Sequence, residues 1–308
     1  MKSIPLAIVG LGKIARDQHL PAIAANGEFE LVGVASPVDQ LSTVASHADL
    51  PTLLKAVPSL QAVALCTPPQ VRYQLARFAL EQGLHVLLEK PPCVTVSEAH
   101  ALVELAHRRG VALLAAWHSR FAPAVEPARI WAAAQALDSV NVSWMEDVRV
   151  WHPGQSWIWK AGGQGVFDPG INALSILTRI VPGRLMLQKA ALRFPENRDT
   201  PIAAHLELVS THGVPVVAEL DFLHAGEPQW QIELRSSSAR CRLLMGGNAL
   251  SVDGHTVPLA EPAEYRSVYA HFAHLVRERA LDVDLAPLQL VADAFLCGQR
   301  FAVAPFIE

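Results

Sequence analysis

Gly10-Leu11-Gly12-Lys13-Ile14-Ala15 decides how this chain folds. The segment follows an apolar run at 5–10 and leads into a helical pattern at 14–25, so its glycines fall in a strand-to-helix turn. In the spacing G-x-G-x-x-A the first glycine permits a tight turn and the second lets a pyrophosphate approach the backbone. The small third residue brings helix and strand together, with phosphate at the helix N-terminus. The turn predicts a dinucleotide site at the start of the chain.

Outward from that turn, apolar runs at 30–36, 62–67, 84–89 and 112–117 alternate with helical stretches at 51–56, 70–82 and 96–109. Short apolar strands between helices imply a parallel sheet covered on both faces. After about 121 the character changes. A helix is expected at 123–136. Longer strands follow at 139–151, 184–194, 203–211, 214–223, 229–236 and 240–245, with helices at 170–180, 268–279 and 287–301. The expected class is α/β. An N-terminal Rossmann doubly wound parallel sheet occupies 1–121, and a C-terminal α+β domain with a large, mostly antiparallel open sheet occupies 122–308.

Composition narrows the partners. The chain has 308 residues, 51% of them hydrophobic, which is ample for two cores. A formal net charge of −4 provides no basic field, which argues against nucleic acid. Cys66, Cys93, Cys241 and Cys297 are scattered, without the spacing of a disulfide framework or a zinc site, and no metal is expected. No run approaches the ~20 apolar residues of a membrane span. A cytoplasmic chain without a membrane partner is the expectation, with a homo-oligomer through the C-terminal sheet as a further one.

Lys90, in Glu89-Lys90-Pro91, closes the run at 85–88, at the carboxyl end of a parallel strand. That end is where open α/β sheets bind ligands, and a lysine there can exchange a proton with a substrate hydroxyl. The second strand ends in Ala35-Ser36-Pro37, without the acid that favours NAD or the arginine that favours NADP. Cofactor choice stays open, leaning to NAD because no cation stands nearby. Asp168 and Asn172 follow Gly162-Gly163-Gln164-Gly165 and share a helix face. Asp168 before Pro169 also looks like an N-cap, but the glycine-rich approach instead suggests a chain folded tightly around something. Val140, Val142, Trp144, Glu146, Val148 and Val150 line one strand face by period two. The lone carboxylate there either meets a partner or ligand or sits at an edge. Trp151 and Trp230 are candidate walls for a sugar ring, and His118 and His152 candidate hydroxyl binders, although tryptophans and histidines are more often structural.

Together these residues resemble the glucose–fructose oxidoreductase/inositol dehydrogenase/rhizopine catabolism (Gfo/Idh/MocA) family. The matching motifs are Gly10-x-Gly12-x-x-Ala15, His19-Leu20-Pro21, Thr67-Pro68-Pro69, Glu89-Lys90-Pro91, Arg120-Phe121-x-Pro123 and Gly165-x-x-Asp168-x-x-x-Asn172, in family order. Asn172 stands where the family usually has histidine, and Arg72 where it often does. With Trp151-His152-Pro153-Gly154-Gln155 and Trp157-Ile158-Trp159, the chain looks most like the L-arabinose and D-galactose 1-dehydrogenases. The resemblance implies NAD or NADP held by Gly10, Gly12, Lys13, Ile14, Ser36, Thr67, Pro68, Glu89 and Lys90. It implies that Lys90 accepts the C1 hydroxyl proton as hydride leaves C1, forming an aldonolactone. Asp168 and Asn172 complete the catalytic set and, with His118, Glu146, Trp151, His152 and Trp230, bind the sugar. Another sugar or inositol dehydrogenase of the family, or a non-catalytic dinucleotide-binding regulator, is the alternative.

Overall fold

The computed structural model describes residues 3–308. Contacts group the chain into two units, Met1–His118 with Glu264–Leu285, and Ser119–Ala263 with Ala286–Glu308. The sequence by itself suggests a single boundary after 121. The segment 264–285 joins the first unit because its apolar residues pack there, among them Leu281, Val283 and Leu285 against the core of that unit.

Six strands build the front of the first sheet: β1 (Ile4–Val9), β2 (Phe29–Ala35), β3 (Ala45–His47), β4 (Ala62–Leu65), β5 (His85–Glu89) and β6 (Leu113–Ala116). Leu6, Ala7 and Ile8 of β1 and all four residues of β4 are fully buried, as expected of strands covered on both faces. The helices between them begin where their caps dictate. Asp49 accepts a hydrogen bond from Thr52 N at the start of Leu50–Ala56. Thr95 and Glu98 close a reciprocal capping box at the start of Val96–Arg109.

The second sheet takes β7 (Leu137–Met145), β8 (Leu185–Pro195), β9 (Ala203–Ser210), β10 (Pro215–Asp221), β11 (Gln229–Ser236), β12 (Arg240–Leu244), β13 (Ala249–Val252) and β14 (His255–Val257). The two-residue β15 (Leu281–Asp282) returns to the first sheet, and β16 (Gln299–Val303) closes an edge of the second. The first sheet runs β15-β6-β5-β4-β1-β2-β3, with every pair parallel. The second runs β14-β13-β12-β11-β7-β10-β9-β8-β16 and is antiparallel except where β10 meets β7 and β16 meets β8. A Rossmann sheet and a second, mostly antiparallel sheet are thus both present.

Two local expectations fail for a physical reason. The strand expected at 139–151 stops at Met145, because Asp147 caps a short helix, Val148–Trp151, by accepting from Arg149 N. Val150 accordingly turns out to solvent rather than completing the buried row. The helix expected at 287–301 ends at Cys297, and the chain then extends as β16. Among the described residues no helix is long and apolar enough to cross a membrane.

Candidate active site

The order of the first sheet puts β1 between β2 and β4, and the C-terminal ends of these three strands carry the nucleotide candidates. Gly10, at the end of β1, has φ +89°, and a Cβ there would stand 2.8 Å from Thr67 Cγ2. Only glycine suits that position. A Cβ on Gly12 would instead meet nothing within 4 Å, which leaves its backbone open to a ligand. Ser36 Oγ, past β2, and Thr67 Oγ1, past β4, are buried without a hydrogen-bond partner among the described residues. Buried hydroxyls are rarely left so, and a bound polar ligand would satisfy both. The open backbone and the two hydroxyls fit a dinucleotide along this edge. Ile14 and Lys13 lie in the first helical turn, with the Lys13 ammonium paired to Asp17.

Lys90 follows β5, and its backbone is held on both sides. Its amide donates to Glu89 Oε2 at 3.0 Å. The buried Arg72 guanidinium donates to the carbonyls of Glu89 and Pro91, and also to that of Thr67. One side chain thereby ties the loop after β4 to the loop after β5, with Lys90 between two of its anchors. In the sequence Arg72 stands out only as a departure from the family pattern.

The Glu89 carboxylate is not turned to solvent. It accepts from His19 Nε2 at 3.0 Å and from Tyr265 Oη at 2.8 Å, while His19 Nδ1 meets Tyr269 Oη at 2.7 Å. Burial pushes the Glu89 carboxyl up, but the hydrogen bond and charge of His19, then His118 and Arg72, outweigh it and hold the pKa at about 2. Burial likewise disfavours charged His19, yet Cys66, Tyr269 and Glu89 prevail and raise its pKa well above 6.5. The pair is therefore ionic. His118 belongs to the same unit, with Nδ1 2.7 Å from Glu264 Oε2 and its ring stacked on Tyr265 at 5.1 Å.

The second unit carries a separate polar cluster. Glu146, just beyond β7, is 2% exposed, so the sequence alternatives resolve to a buried, partnered carboxylate. Trp230 Nε1, on the neighbouring β11, donates to Glu146 Oε2 at 2.7 Å. His152 Nε2 lies 2.8 Å from Glu146 Oε1, and His152 Nδ1 lies 3.6 Å from Asp168 Oδ2. Trp151 packs edge-on against Trp230 with centroids 4.7 Å apart and remains 42% exposed. The helical turn that broke the expected strand is what brings Trp151 and His152 back over Glu146.

Asp168 is buried in the first turn of helix Phe167–Ile180, whose N-cap is Val166 rather than Asp168. Its carboxylate thus sits in the positive end of the helix dipole. Asn172 stands one turn on, half-buried on the same face. The glycines before this helix enclose protein rather than a ligand: a Cβ on Gly165 would lie 2.2 Å from Pro201 O, at φ +55°. Gln164, which no sequence motif marks, is buried with Oε1 lacking a hydrogen-bond partner among the described residues. The sequence-derived candidates thus gather in two places. Gly10, Gly12, Lys13, Ile14, Ser36, Thr67, Pro68, Glu89, Lys90 and His118 belong to the first unit, and Glu146, Trp151, His152, Asp168, Asn172 and Trp230 to the second.

Comparison with known proteins identifies the family. The model of an oxidoreductase family with an NAD-binding Rossmann fold, GFO_IDH_MocA, matches residues 4–116. The chain is 45% identical to a galactose 1-dehydrogenase of Pseudomonas fluorescens over 308 residues, covering 100% of both. A crystal structure of a D-galactose-1-dehydrogenase protein from Rhizobium etli superposes with a TM-score of 0.96 at 50% identity, covering 100% of this chain and 99% of that one. A 3-ketoreductase from Actinomadura kijaniata, solved with NADP and TDP-benzene, shares the fold at 20% identity and TM-score 0.86, over 98% of this chain and 100% of its own. The phosphate-ready turn, the two orphaned hydroxyls and full-length similarity converge on one conclusion: this chain is an oxidoreductase belonging to the Gfo/Idh/MocA family, with that family's NAD-binding Rossmann fold at residues 4–116.

Proposed function

We propose that this chain oxidises C1 of an aldopyranose, D-galactose or L-arabinose, to the aldonolactone, with NAD or NADP as hydride acceptor. Similarity to a galactose 1-dehydrogenase over the full length carries this reading. The cluster around Glu146 supports it, because it sets polar His152 and Asp168 beside the partly exposed ring of Trp151, the mix of polar groups and apolar face that a sugar ring requires.

When bound, the nicotinamide supplies the redox chemistry. Lys90 takes the proton of the C1 hydroxyl. Asn172 cannot titrate and supplies hydrogen bonds alone, while Asp168 accepts from substrate hydroxyls. Both Glu146 oxygens already receive a protein hydrogen bond, so Glu146 works chiefly by fixing His152 and Trp230. His152 reads a ring hydroxyl, and the exposed Trp151 offers an apolar wall for the C–H face of the sugar.

D-Galactose and L-arabinose, as pyranoses, share their arrangement from C1 to C4 and differ by the C5 hydroxymethyl. A site that hydrogen-bonds the shared hydroxyls accepts both, whereas a C4 epimer leaves buried polar groups unpaired, which discriminates strongly. Purified protein assayed for reduced-nicotinamide absorbance on an aldose panel is expected to turn over both sugars. Its kcat/KM for D-glucose should be lower than for D-galactose by at least about tenfold. Equal use of D-glucose and D-galactose, or turnover of inositols alone, would overturn the reading.

A further inference from the structure

The end of the second strand offers no arginine in the local sequence, yet the fold pairs one with Asp39, in the loop that follows that strand. Arg16 stands in the helix that follows the glycine turn, with its amide donating to Gly12 O at 3.1 Å. Its guanidinium reaches Asp39, three residues beyond Ser36, donating from Nε to Oδ2 at 3.1 Å and also from Nη2. Asp39 Oδ1 accepts from Gln40 N at 2.8 Å, which turns the carboxylate toward the helix. Ser36 Oγ, at the strand end itself, is buried and has no hydrogen-bond partner among the described residues.

In a dinucleotide-binding sheet the end of the second strand is where the adenosine ribose is read. An acidic residue there binds the 2′-hydroxyl, and an arginine there accommodates a 2′-phosphate. Here the acid and the arginine hold each other. We propose that Arg16 and Asp39 form the cofactor selector of this chain. Arg16 exchanges the Asp39 carboxylate for the 2′-phosphate of NADP, Ser36 Oγ donates to the same group, and Asp39 keeps the guanidinium in place when the phosphate is absent.

The physical chemistry favours the exchange. The Arg16 and Asp39 side chains are 41% and 44% exposed, so their pairing is a weak surface contact that a ligand can displace. A phosphate carries more charge than a carboxylate and accepts the planar guanidinium fork bidentately. Because Asp39 is occupied by Arg16, it is also poorly available to the ribose diol that marks an NAD-selective site. The chain should therefore bind both dinucleotides, with the phosphorylated one depending on Arg16.

Calorimetric titration of the purified protein with NADP and with NAD, without sugar, tests this directly. In Arg16→Ala the NADP affinity should fall by about tenfold or more, the scale of a lost charge-assisted contact, while NAD affinity changes less than about threefold. Asp39→Asn, which frees the guanidinium and removes a negative charge, should strengthen NADP binding by about threefold or more and leave NAD little changed. Arg16→Lys should fall between the parent and the alanine variant for NADP, since it keeps the charge and loses the fork. Equal losses for the two dinucleotides in Arg16→Ala, or no loss for either, would overturn the proposal. So would weaker NADP binding in Asp39→Asn.

Discussion

Lys90 is the residue on which the proposed chemistry turns, and its surroundings explain why it is held rather than swung. Its amide is bound to Glu89, and the two carbonyls that bracket it are taken by Arg72. Replacement by methionine keeps an unbranched side chain only one atom shorter and removes the amine. Lys90→Met is expected to lower kcat by roughly 10²-fold or more, the usual scale of general acid–base catalysis. Dinucleotide affinity should hold, because the phosphate turn lies at 10–15. Steady-state kinetics beside a nucleotide titration checks both, and near-parental turnover would remove the proton role. The place of Lys90 was legible from a strand ending in Glu89-Lys90-Pro91, since strand ends in parallel sheets are marked by local signals. The three carbonyls that Arg72 gathers were not, because nothing in the spacing from Arg72 to Pro91 says which backbone groups meet.

At the scale of elements, the segment from Val148 to Trp159 is the informative one. It carries Trp151 and His152, and it is tied down by residues near the other end of the chain. Phe306 is buried, with its ring under the Arg149 guanidinium at 5.1 Å and beside Trp159 at 5.1 Å. Asn197 bonds the Phe306 backbone on both sides, Nδ2 to O and N to Oδ1, each at 2.9 Å. A ring this enclosed contributes on the order of 3–5 kcal/mol when truncated to alanine. Phe306→Ala should therefore destabilise the second unit by about 3 kcal/mol. It should also speed hydrogen exchange across 148–159 and raise the sugar KM while nucleotide affinity stays constant. Mass-spectrometric exchange together with the KM-to-kcat split decides it, and unaltered exchange in that segment would show that Phe306 anchors nothing. Sequence periodicity misread this segment as the end of a strand. Alternation of valines continued through Val148 and Val150, but the Asp147 cap and the pull of buried Glu146 on His152 won.

For the molecule as a whole, the buried ionic cluster of the first unit links stability to pH. The Glu89 pKa, held at about 2 against an ordinary 4.5, means that the unfolded chain binds more protons between those values. Its stabilising contribution is full above about 4.5 and is lost as pH falls toward 2. His19, raised above 6.5, contributes fully below 6.5 and loses that contribution as pH climbs through its raised value. These are two views of one pair and do not add. Urea unfolding across an acid series should show stability falling from about pH 4.5 downward in the parent, with that slope flattened in Glu89→Gln. An identical slope in the two proteins would mean the pair is not ionic. Sequence by itself determined the alternation of strands and helices, the glycine turn, and the positions of Lys90, Asp168 and Glu146 along the chain, because periodicity, capping and turn chemistry act over a few residues. Only the tertiary structure decided that Glu146 meets Trp230 from 84 residues away, that Glu89 meets Tyr265 from 176, and that Arg16 reaches Asp39. Those pairings depend on which strands lie side by side and which faces the packed helices present, and that order is set by burial over the whole fold.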